Sequence, residues 1–236
     1  MNIFAISDLH MSVANPKPMD IFGAKWANYL DKIKQDWLEK VTDEDVVLIS
    51  GDISWAMTMA DAIKDFEYFK DLPGKKVFIR GNHDYWWKSI TRLREEMPEN
   101  CFLIQNDAIK FGNVVICGSR GWLTPGSPDY TKADEKIYLR EIERLKMAFF
   151  RANELRQEND KLVCMMHFPP FNVRREDNEI TALIDTNAVD ALIYGHLHGK
   201  ESRVDKLLIK QEIPYYLTSC DLVDNKLVKI QLKGQL

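Results

Sequence analysis

The stretch that decides the fold of this chain is Ile3–His10, which reads IFAISDLH. Its first part, Ile3–Ser7, is a short apolar run of the kind that forms a buried β-strand. Two residues with chemically useful side chains, Asp8 and His10, follow where this predicted strand ends. The same order of a short apolar strand and then a polar motif recurs four more times along the chain, so it sets the plan of the fold.

The other strands of this pattern end in motifs rich in glycine, histidine and acidic residues. They are Val46–Ser50 before Gly51-Asp52, Val77–Arg80 before Gly81-Asn82-His83-Asp84, Leu162–Met166 before His167, and Ala191–Tyr194 before Gly195-His196-Leu197-His198. Segments of helical period lie at Ile21–Val41, Ala60–Leu72, Trp86–Met97 and Lys132–Glu158. Parallel strands need such crossovers, and ligands of open α/β sheets bind outside the carboxyl ends of the strands. We therefore expect the motifs to meet at one edge of the fold.

Spacing within two motifs places pairs of side chains on the same side. Side chains two residues apart on an extended strand point the same way. Asp8 with His10, and His196 with His198, are therefore expected to reach into one site. Glycines at positions 51, 81 and 195, directly before three of the polar residues, permit the tight backbone that such corners require.

The residue types in the motifs favour divalent metal ions. Carboxylate and imidazole ligands together suit Mn, Fe, Zn or Ni, and the absence of cysteine argues against a structural zinc site. All five histidines of the chain lie in the motifs, whereas a single histidine is more often structural. One aspartate can bridge two ions, and two ions about 3.5–4 Å apart can activate a water and clamp both oxygens of an in-line displacement. We therefore expect two divalent metal ions as cofactors.

The expected charge of this site favours a phosphate ester as the substrate. Two divalent ions, the carboxylates of Asp8 and Asp52 and one bridging hydroxide leave roughly one net positive charge. Such a site attracts an anionic phosphate ester more strongly than a neutral substrate. The chain as a whole carries a formal net charge of −4, so nothing in it suggests the basic surface of a nucleic-acid-binding protein.

In their order along the chain, these motifs resemble those of the calcineurin-like metallophosphoesterase superfamily. The D-x-H, G-D, G-N-H-D, single-H and G-H-x-H motifs span nearly the whole sequence. The resemblance implies a bacterial-type phosphohydrolase with an α/β fold, namely a four-layer αββα sandwich with two mixed β-sheets. We expect residues 1–236 to form a single domain of this type.

The resemblance also implies a role for each motif residue. One metal would be held by Asp8, His10 and His198, the other by Asn82, His167 and His196, and Asp52 would bridge them. His83 would contact the phosphate and help to protonate the leaving oxygen, a role that suits a group titrating near neutral pH. Asn82 would help to stabilise the charge of the reacting phosphate.

Residues beside the motifs raise two further questions. Many relatives carry an aspartate three residues after the bridging aspartate, where it can orient the catalytic histidine, but this chain has Trp55 there. Asp84 is then the candidate for orienting His83. Trp55 could instead stack a flat ring of the substrate or pack between loops. Three arginines are candidates for binding phosphate or are solvated surface charges: Arg120, Arg174 and Arg175.

The motifs together predict a hydrolase of phosphate mono- or diesters that uses a dinuclear metal site and a metal-bound hydroxide. A protein phosphatase, a cyclic-nucleotide phosphodiesterase and a nuclease share such a site, so these alternatives stay open. The acidic net charge weakens the nuclease interpretation but leaves a nucleotide possible as a substrate. A non-catalytic scaffold would be expected to have lost metal ligands, and no motif histidine is missing.

Composition is that of an ordinary globular protein, with 45% hydrophobic and 29% charged residues. No run approaches the about 18 apolar residues of a membrane span, and the first residues do not read as a signal peptide. The four cysteines form no CxxC pair, so we expect buried, reduced thiols. We therefore expect a cytoplasmic protein without a membrane partner, and the sequence leaves its substrate identity and oligomeric state open.

Overall fold

A computed structural model of the protein describes residues 1–199 and 204–235. The described strands are β1 (Ile3–Ile6), β2 (Val46–Ile49), β3 (Lys75–Phe78), β4 (Cys101–Leu103), β5 (Asp107–Phe111), β6 (Val114–Ser119), β7 (Lys161–Met166), β8 (Ala191–Tyr194), β9 (Leu207–Lys210), β10 (Ile213–Leu217) and β11 (Val228–Lys229). The α-helices are α1 (Tyr29–Lys40), α2 (Met59–Lys70), α3 (Ile90–Glu96), α4 (Lys132–Leu155) and α5 (Glu179–Thr186). Short 3₁₀ turns at Met19–Phe22 and Ala24–Trp26 precede α1.

The strands form two mixed sheets. The first sheet has the order β11-β1-β2-β3-β4, and the second has the order β5-β6-β7-β8-β10-β9. Strands β1 to β4 pair in parallel, whereas β11 is antiparallel to β1. In the second sheet, β6, β7, β8 and β10 are parallel and the two edge strands are antiparallel. The helical crossovers explain the parallel pairing, because parallel strands cannot be joined by a short turn.

Three apolar clusters hold these sheets and helices together as four layers. The cluster between the sheets joins Ala5 and Leu48 of the first sheet to Ile193 of the second. Trp37 of α1 and Phe66 of α2 pack on the outer face of the first sheet. Residues of α4 and α5 cover the outer face of the second sheet. The expected four-layer αββα sandwich is confirmed, whereas the assignment of residues 1–236 to one domain stays a prediction.

Two helices are shorter than the sequence periodicity predicts. The expected helix over Ile21–Val41 is wrong in its first part, since Asn28 has a left-handed backbone (φ 51°) and α1 begins after it. The expected helix over Trp86–Met97 is also too long, since α3 begins only at Ile90. The Trp86 ring is buried in the core cluster that α2 also joins. In both places tertiary contacts override a local helical pattern.

Other general expectations can be compared with the structure. No helix in the described parts of the chain combines the length and apolar character that crossing a bilayer needs. All four cysteines are buried and unpaired, as expected: Cys101, Cys117, Cys164 and Cys220. The cytoplasmic location stays a prediction.

Candidate metal centre

Residues from all five motifs meet at the edge where β1, β2, β3, β7 and β8 end. A cavity of about 340 Å³ opens there, and its polar lining includes His10, Asp52, His83, His196, His198 and Asp221. The other motif residues adjoin this set through close polar contacts: Asp8, Asn82 and His167. Every residue that the sequence predicts as a metal ligand or as catalytic therefore lies in one place.

Left-handed backbone aims several of these side chains. Asp8, His10, Asp52 and His196 have φ angles of 60°, 46°, 50° and 72°. A non-glycine residue in this region is uncommon and costs of order 1 kcal/mol or more. Asp8 and His10 do lie close together, but the expected reason, that they point the same way from an extended strand, is wrong. β1 ends at Ile6, and both residues lie in the loop that follows. The strand ends bring the motifs to one edge of the fold, and loop residues with left-handed backbone orient the side chains toward the cavity.

Two glycines allow the loops to approach the carboxylates closely. A Cβ atom at Gly81 would collide with the carboxylate and the backbone nitrogen of Asp52. A Cβ atom at Gly195 would collide with the carboxylate of Asp8 and the side chain of Ser7. Any larger residue at either position would displace a predicted metal ligand or its loop.

Two groups of donor atoms have the spacing of metal ligands. The ligand atoms of Asp8, His10 and His198 all lie within 4.8 Å of one another, and those of Asp8, Asp52 and His167 do so as well. Asp8 belongs to both groups. Asp52 lies between the histidines, with Oδ2 3.8 Å from His10 Nε2 and 3.5 Å from His167 Nε2. Such a shared carboxylate edge suits neighbouring divalent ions.

Hydrogen bonds orient two of the imidazole rings. His167 Nδ1 lies 2.9 Å from the carbonyl oxygen of Ser50, and its Nε2 lies 2.7 Å from Asn82 Oδ1. His198 Nδ1 lies 3.0 Å from Asp221 Oδ1, and its Nε2 lies 3.4 Å from Asp8 Oδ1. In metal sites, one ring nitrogen typically binds a carboxylate or a carbonyl while the other faces the ion.

Asp221 is a residue of the candidate site that none of the five motifs predicts. It also accepts a hydrogen bond of 3.0 Å from the backbone nitrogen of Gly199. Asp221 therefore contacts both the ring of His198 and the backbone that follows it. The sequence does contain a signal for Asp221, since the apolar strand β10 is followed by the polar stretch Thr218-Ser219-Cys220-Asp221, as in the five motifs. The last of the five motifs ends at His198, so none of them includes this strand end.

The arrangement fits divalent cations on two counts. The carboxylates of Asp8 and Asp52 are buried, and their close charged partners in the described chain are histidines rather than lysine or arginine. Buried carboxylates without strong cationic partners are costly. In addition, His10 Nδ1 is buried and has no hydrogen-bond partner among the described residues. A cation bound between these groups would satisfy both the charges and the free nitrogen.

The protonation preferences of two histidines, His167 and His198, show that the buried carboxylates attract positive charge. Burial opposes protonation of His167, but Asp52 and Asp8 outweigh it and raise the pKa to about 9. Burial is likewise outweighed at His198, where Asp221 and Asp8 raise the pKa to about 10. Burial dominates at His10 and lowers its pKa to about 4. Metal ions and protons compete for such nitrogens, so metal binding is expected to release protons.

Asp84 does not orient His83, contrary to the expectation from the sequence. Its carboxylate accepts backbone N–H bonds from Ile53, Ser54 and Gly81 at 2.9, 3.2 and 2.7 Å, and a further bond from the ring nitrogen of Trp86. Burial, aided by the charge of Asp52, raises the pKa of Asp84 to about 6. Asp84 therefore joins the loop after β3 to the loop after β2.

Aromatic rings surround His83 instead of a carboxylate. Its ring centroid lies 4.8 Å from that of Trp55 and 5.7 Å from that of His10. Trp55 also stacks on His10 with the centroids 4.6 Å apart and the planes at 21°. Tyr85 Oη lies 3.5 Å from His83 Nδ1, which is too long for a strong hydrogen bond. Packing against Trp55 is therefore the main restraint on the His83 ring.

One wall of the cavity is apolar. It consists of Met19, Phe22, Trp26 and Trp55. Phe22 is 65% exposed although its side chain lines the cavity, which leaves a large apolar surface open beside the polar centre. Sequence reasoning found Trp55 but missed the other three, because they come from turns that the periodicity assigns to a helix or to no element.

The three candidate arginines lie outside the cavity lining. Arg120 pairs with Glu141 at 3.3 Å and lies over the Trp122 ring. Arg174 pairs with Glu176 at 2.7 Å, and Arg175 pairs with Asp205. Of the four residues considered for substrate binding, the structure brings only Trp55 to the candidate metal centre.

Comparisons with known proteins agree with this fold and site. The family model described as calcineurin-like phosphoesterase matches residues 1–200. The chain resembles a solved protein of unknown function, AQ665 from Aquifex aeolicus, at 17% identity and a TM-score of 0.52, covering 97% of this chain and 95% of that one. It also resembles the solved protein TT1561 of Thermus thermophilus at 13% identity and a TM-score of 0.56, covering 97% of each chain. No curated protein matches the sequence.

Proposed function

The chain belongs to the calcineurin-like phosphoesterase family, and from this premise we propose that it hydrolyses phosphate mono- or diesters at a dinuclear metal centre. Membership makes it a hydrolase acting on ester bonds. The observation that carries the finer proposal is the pair of Asp/His groups that share Asp8 at the wall of an open cavity. Proposed ligands are Asp8, His10, Asp52, Asn82, His167, His196 and His198.

Divalent ions held there would polarise the phosphoryl group and lower the pKa of a water nucleophile. The residues of the chain bind the phosphoryl group and supply a proton. The Oδ1 atom of Asn82 faces His167 at 2.7 Å, which leaves its amide NH₂ to donate to a phosphoryl oxygen. His83 lines the same cavity and provides a proton for the departing oxygen, because histidine is the side chain that most often acts as a general acid in enzymes.

The apolar wall favours a substrate that carries a flat or apolar group next to its phosphate. The cavity of about 340 Å³ lies at the lower end of the range for small-molecule sites, about 300–1,000 Å³. The exposed Phe22 ring offers a face on which an aryl group or a nucleobase stacks. The Trp55 ring already contacts His10 and Lys17 Nζ, and it adds its remaining surface to the same wall. The same wall favours a cyclic-nucleotide or other nucleotide phosphodiesterase as the second candidate.

The direct test is turnover by protein that has been stripped with a chelator and reloaded with one metal at a time. Phenyl phosphate and a bis-aryl phosphate would each be assayed with Mn²⁺, Fe²⁺, Zn²⁺, Ni²⁺ and Mg²⁺. We expect hydrolysis with at least one of these metals. Folded protein that binds metal but hydrolyses neither ester with any of them would contradict the proposal.

A His83→Asn variant separates catalysis from metal binding. We expect it to keep the metal content of the wild type and to lose at least about 100-fold in kcat, the usual range for a general acid. A Tyr85→Phe variant, whose hydroxyl lies 3.5 Å from the ring, serves as the matched control and should keep most activity. Loss of metal in the His83 variant would instead make it a ligand, and a non-catalytic scaffold would show no turnover to lose.

A further inference from the structure

A second polar cavity, of about 50 Å³, lies beside the metal centre. It is built where β3, β4 and β6 end and where α4 passes over them. Its lining includes Arg80, Ser119, Arg120, Glu141 and Arg144. One water needs only about 10–15 Å³ of such space, so this cavity has room for a small ion of several atoms.

Positive charge exceeds negative charge in this cavity. Glu141 is its one carboxylate among the described lining residues, and its side chain is 1% exposed. Glu141 pairs with Arg144 at 2.5 Å and with Arg120 at 3.3 Å, and it accepts a hydrogen bond of 3.2 Å from the backbone nitrogen of Gly121. Three guanidinium groups therefore line a cavity that has one carboxylate, and both oxygens of that carboxylate already accept hydrogen bonds.

Several donors in the cavity have no acceptor. The Nε atoms of Arg80 and Arg120 and the Oγ atom of Ser119 are buried and have no hydrogen-bond partner in the described parts of the chain. Ser119 is 2% exposed. Asp107, which follows the lining residue Asn106 in the chain, is already paired with Arg94 at 2.5 Å. Buried donors without acceptors are rare because each one costs free energy.

We propose that this cavity binds a phosphate-sized oxyanion, held by Arg80, Arg120 and Arg144. Arginine forks match the oxygens of a phosphate, and Ser119 adds a hydroxyl donor. The excess of two guanidinium groups over carboxylates matches a dianion. The oxyanion comes either from free orthophosphate or from a second phosphoryl group of a substrate.

The position of the cavity links it to the metal centre. Only Gly81 separates Arg80 from Asn82 along the chain. The carbonyl oxygen of Arg120 accepts hydrogen bonds of 3.0 Å from the backbone nitrogens of both His167 and Phe168. An oxyanion bound by these arginines therefore lies next to the loops that carry two of the proposed metal ligands.

The test measures orthophosphate binding to metal-stripped protein in the presence of a chelator, so it does not depend on the proposed hydrolase activity. We expect saturable one-site binding by calorimetry. Arg80→Gln and Arg144→Gln should each weaken it at least about tenfold, since each removes a charged hydrogen bond. Arg140→Gln, an exposed arginine of α4 outside the cavity, is the matched control and should bind like the wild type.

Three results would overturn the proposal: no saturable binding, an equal loss in Arg140→Gln, or loss of binding in His198→Asn with none in the arginine variants. The last result would place the phosphate among the histidines. The side chain of Arg144 is 37% exposed, so its variant is expected to fold even where Arg80→Gln does not.

A kinetic experiment on metal-loaded enzyme distinguishes the two sources of the oxyanion. Phenyl phosphate is compared with an aryl ester that carries a second phosphoryl group. A rise in KM of Arg144→Gln for the second ester alone indicates a substrate subsite. Unchanged KM values, together with weaker inhibition by orthophosphate, indicate a site for free phosphate.

Discussion

Two cavities lie at the same edge of the sandwich, and their charges are opposite. The metal centre collects carboxylates and imidazoles around Asp8 and Asp52, whereas the neighbouring arginine cavity collects guanidinium groups around Glu141. Both are built from residues at or just beyond the carboxyl ends of strands. The fold therefore provides the place, and the residue types at each strand end decide whether it attracts a cation or an anion.

The two cavities also differ in how their residues are held. At the candidate metal centre, short motifs with left-handed backbone and close glycines place the proposed ligands. At the arginine cavity, Arg80 and Arg120 from two strand ends line the same space as Arg144 of α4, and Glu141 pairs with Arg120 and Arg144. Changes near Asp8 should therefore affect the metal centre alone, and changes at the junction of the cavities should affect both.

Asp8→Asn is expected to have the largest effect on metal affinity, because Asp8 belongs to both groups of residues whose donor atoms have the spacing of metal ligands. We expect metal affinity to fall by more than about 100-fold, beyond the 10–100-fold loss typical of residues that only orient a ligand. Metal content after dialysis and calorimetric titration would measure this. Orthophosphate binding by the arginine cavity should persist, and Asp43→Asn, on an exposed loop, is the control. Undiminished metal binding in Asp8→Asn would refute the assigned ligand.

Gly81→Ala should disturb both cavities, since Gly81 lies between Arg80 and Asn82 and its Cβ would collide with Asp52. We expect a loss of about 3 kcal/mol in the free energy of unfolding, the upper range for overpacking, with weaker metal binding. Gly112→Ala is the control, because it has a left-handed backbone but open space around it. That variant should lose only about 1–2 kcal/mol. Urea denaturation of both variants gives the comparison. Gly81 itself does not have a left-handed backbone, so a loss no larger than that of Gly112→Ala would show that the collision with Asp52 is relieved at little cost.

Asp221→Asn should weaken the metal centre without removing a ligand. Its carboxylate holds His198 Nδ1 at 3.0 Å, so we expect metal affinity to fall by about 10–100-fold. The neighbouring Asp224→Asn, which changes a 63% exposed side chain, should leave metal affinity intact. A loss that is the same in both variants would indicate general electrostatics rather than orientation of His198.

Trp55→Leu should have the smallest effect and should concern the substrate. Removing the aromatic face is expected to raise KM for phenyl phosphate by about 2–10-fold, the worth of one aromatic contact. KM for methyl phosphate, which lacks a ring, should stay nearly the same. Steady-state kinetics on both esters decide the matter, since an equal rise for both would assign Trp55 to the orientation of His83 and His10 rather than to stacking.

Much of the site was predictable because its signals are local. The order of five strands and motifs, from Asp8 to His198, was sufficient to predict convergence at one edge. The mechanism of convergence was not predictable, because the backbone conformation of Asp8 and His10 depends on neighbouring loops. The role of Asp84 in orienting His83 was wrongly predicted for a similar reason. Its carboxylate accepts hydrogen bonds from backbone nitrogens that become its neighbours only in the folded state.

Local sequence patterns are enough to predict the alternation of strands and helices, the family of motifs and the chemical types of the proposed ligands. These follow from hydrophobic periodicity and from residue spacing, which are properties of short segments. Three further arrangements depend on the packing of the whole chain: Asp221 supports His198, Phe22 and Trp55 form one wall, and Arg80, Arg120 and Arg144 line one cavity with Glu141. Those contacts join residues far apart in the chain, and they depend on how two sheets and their helices pack.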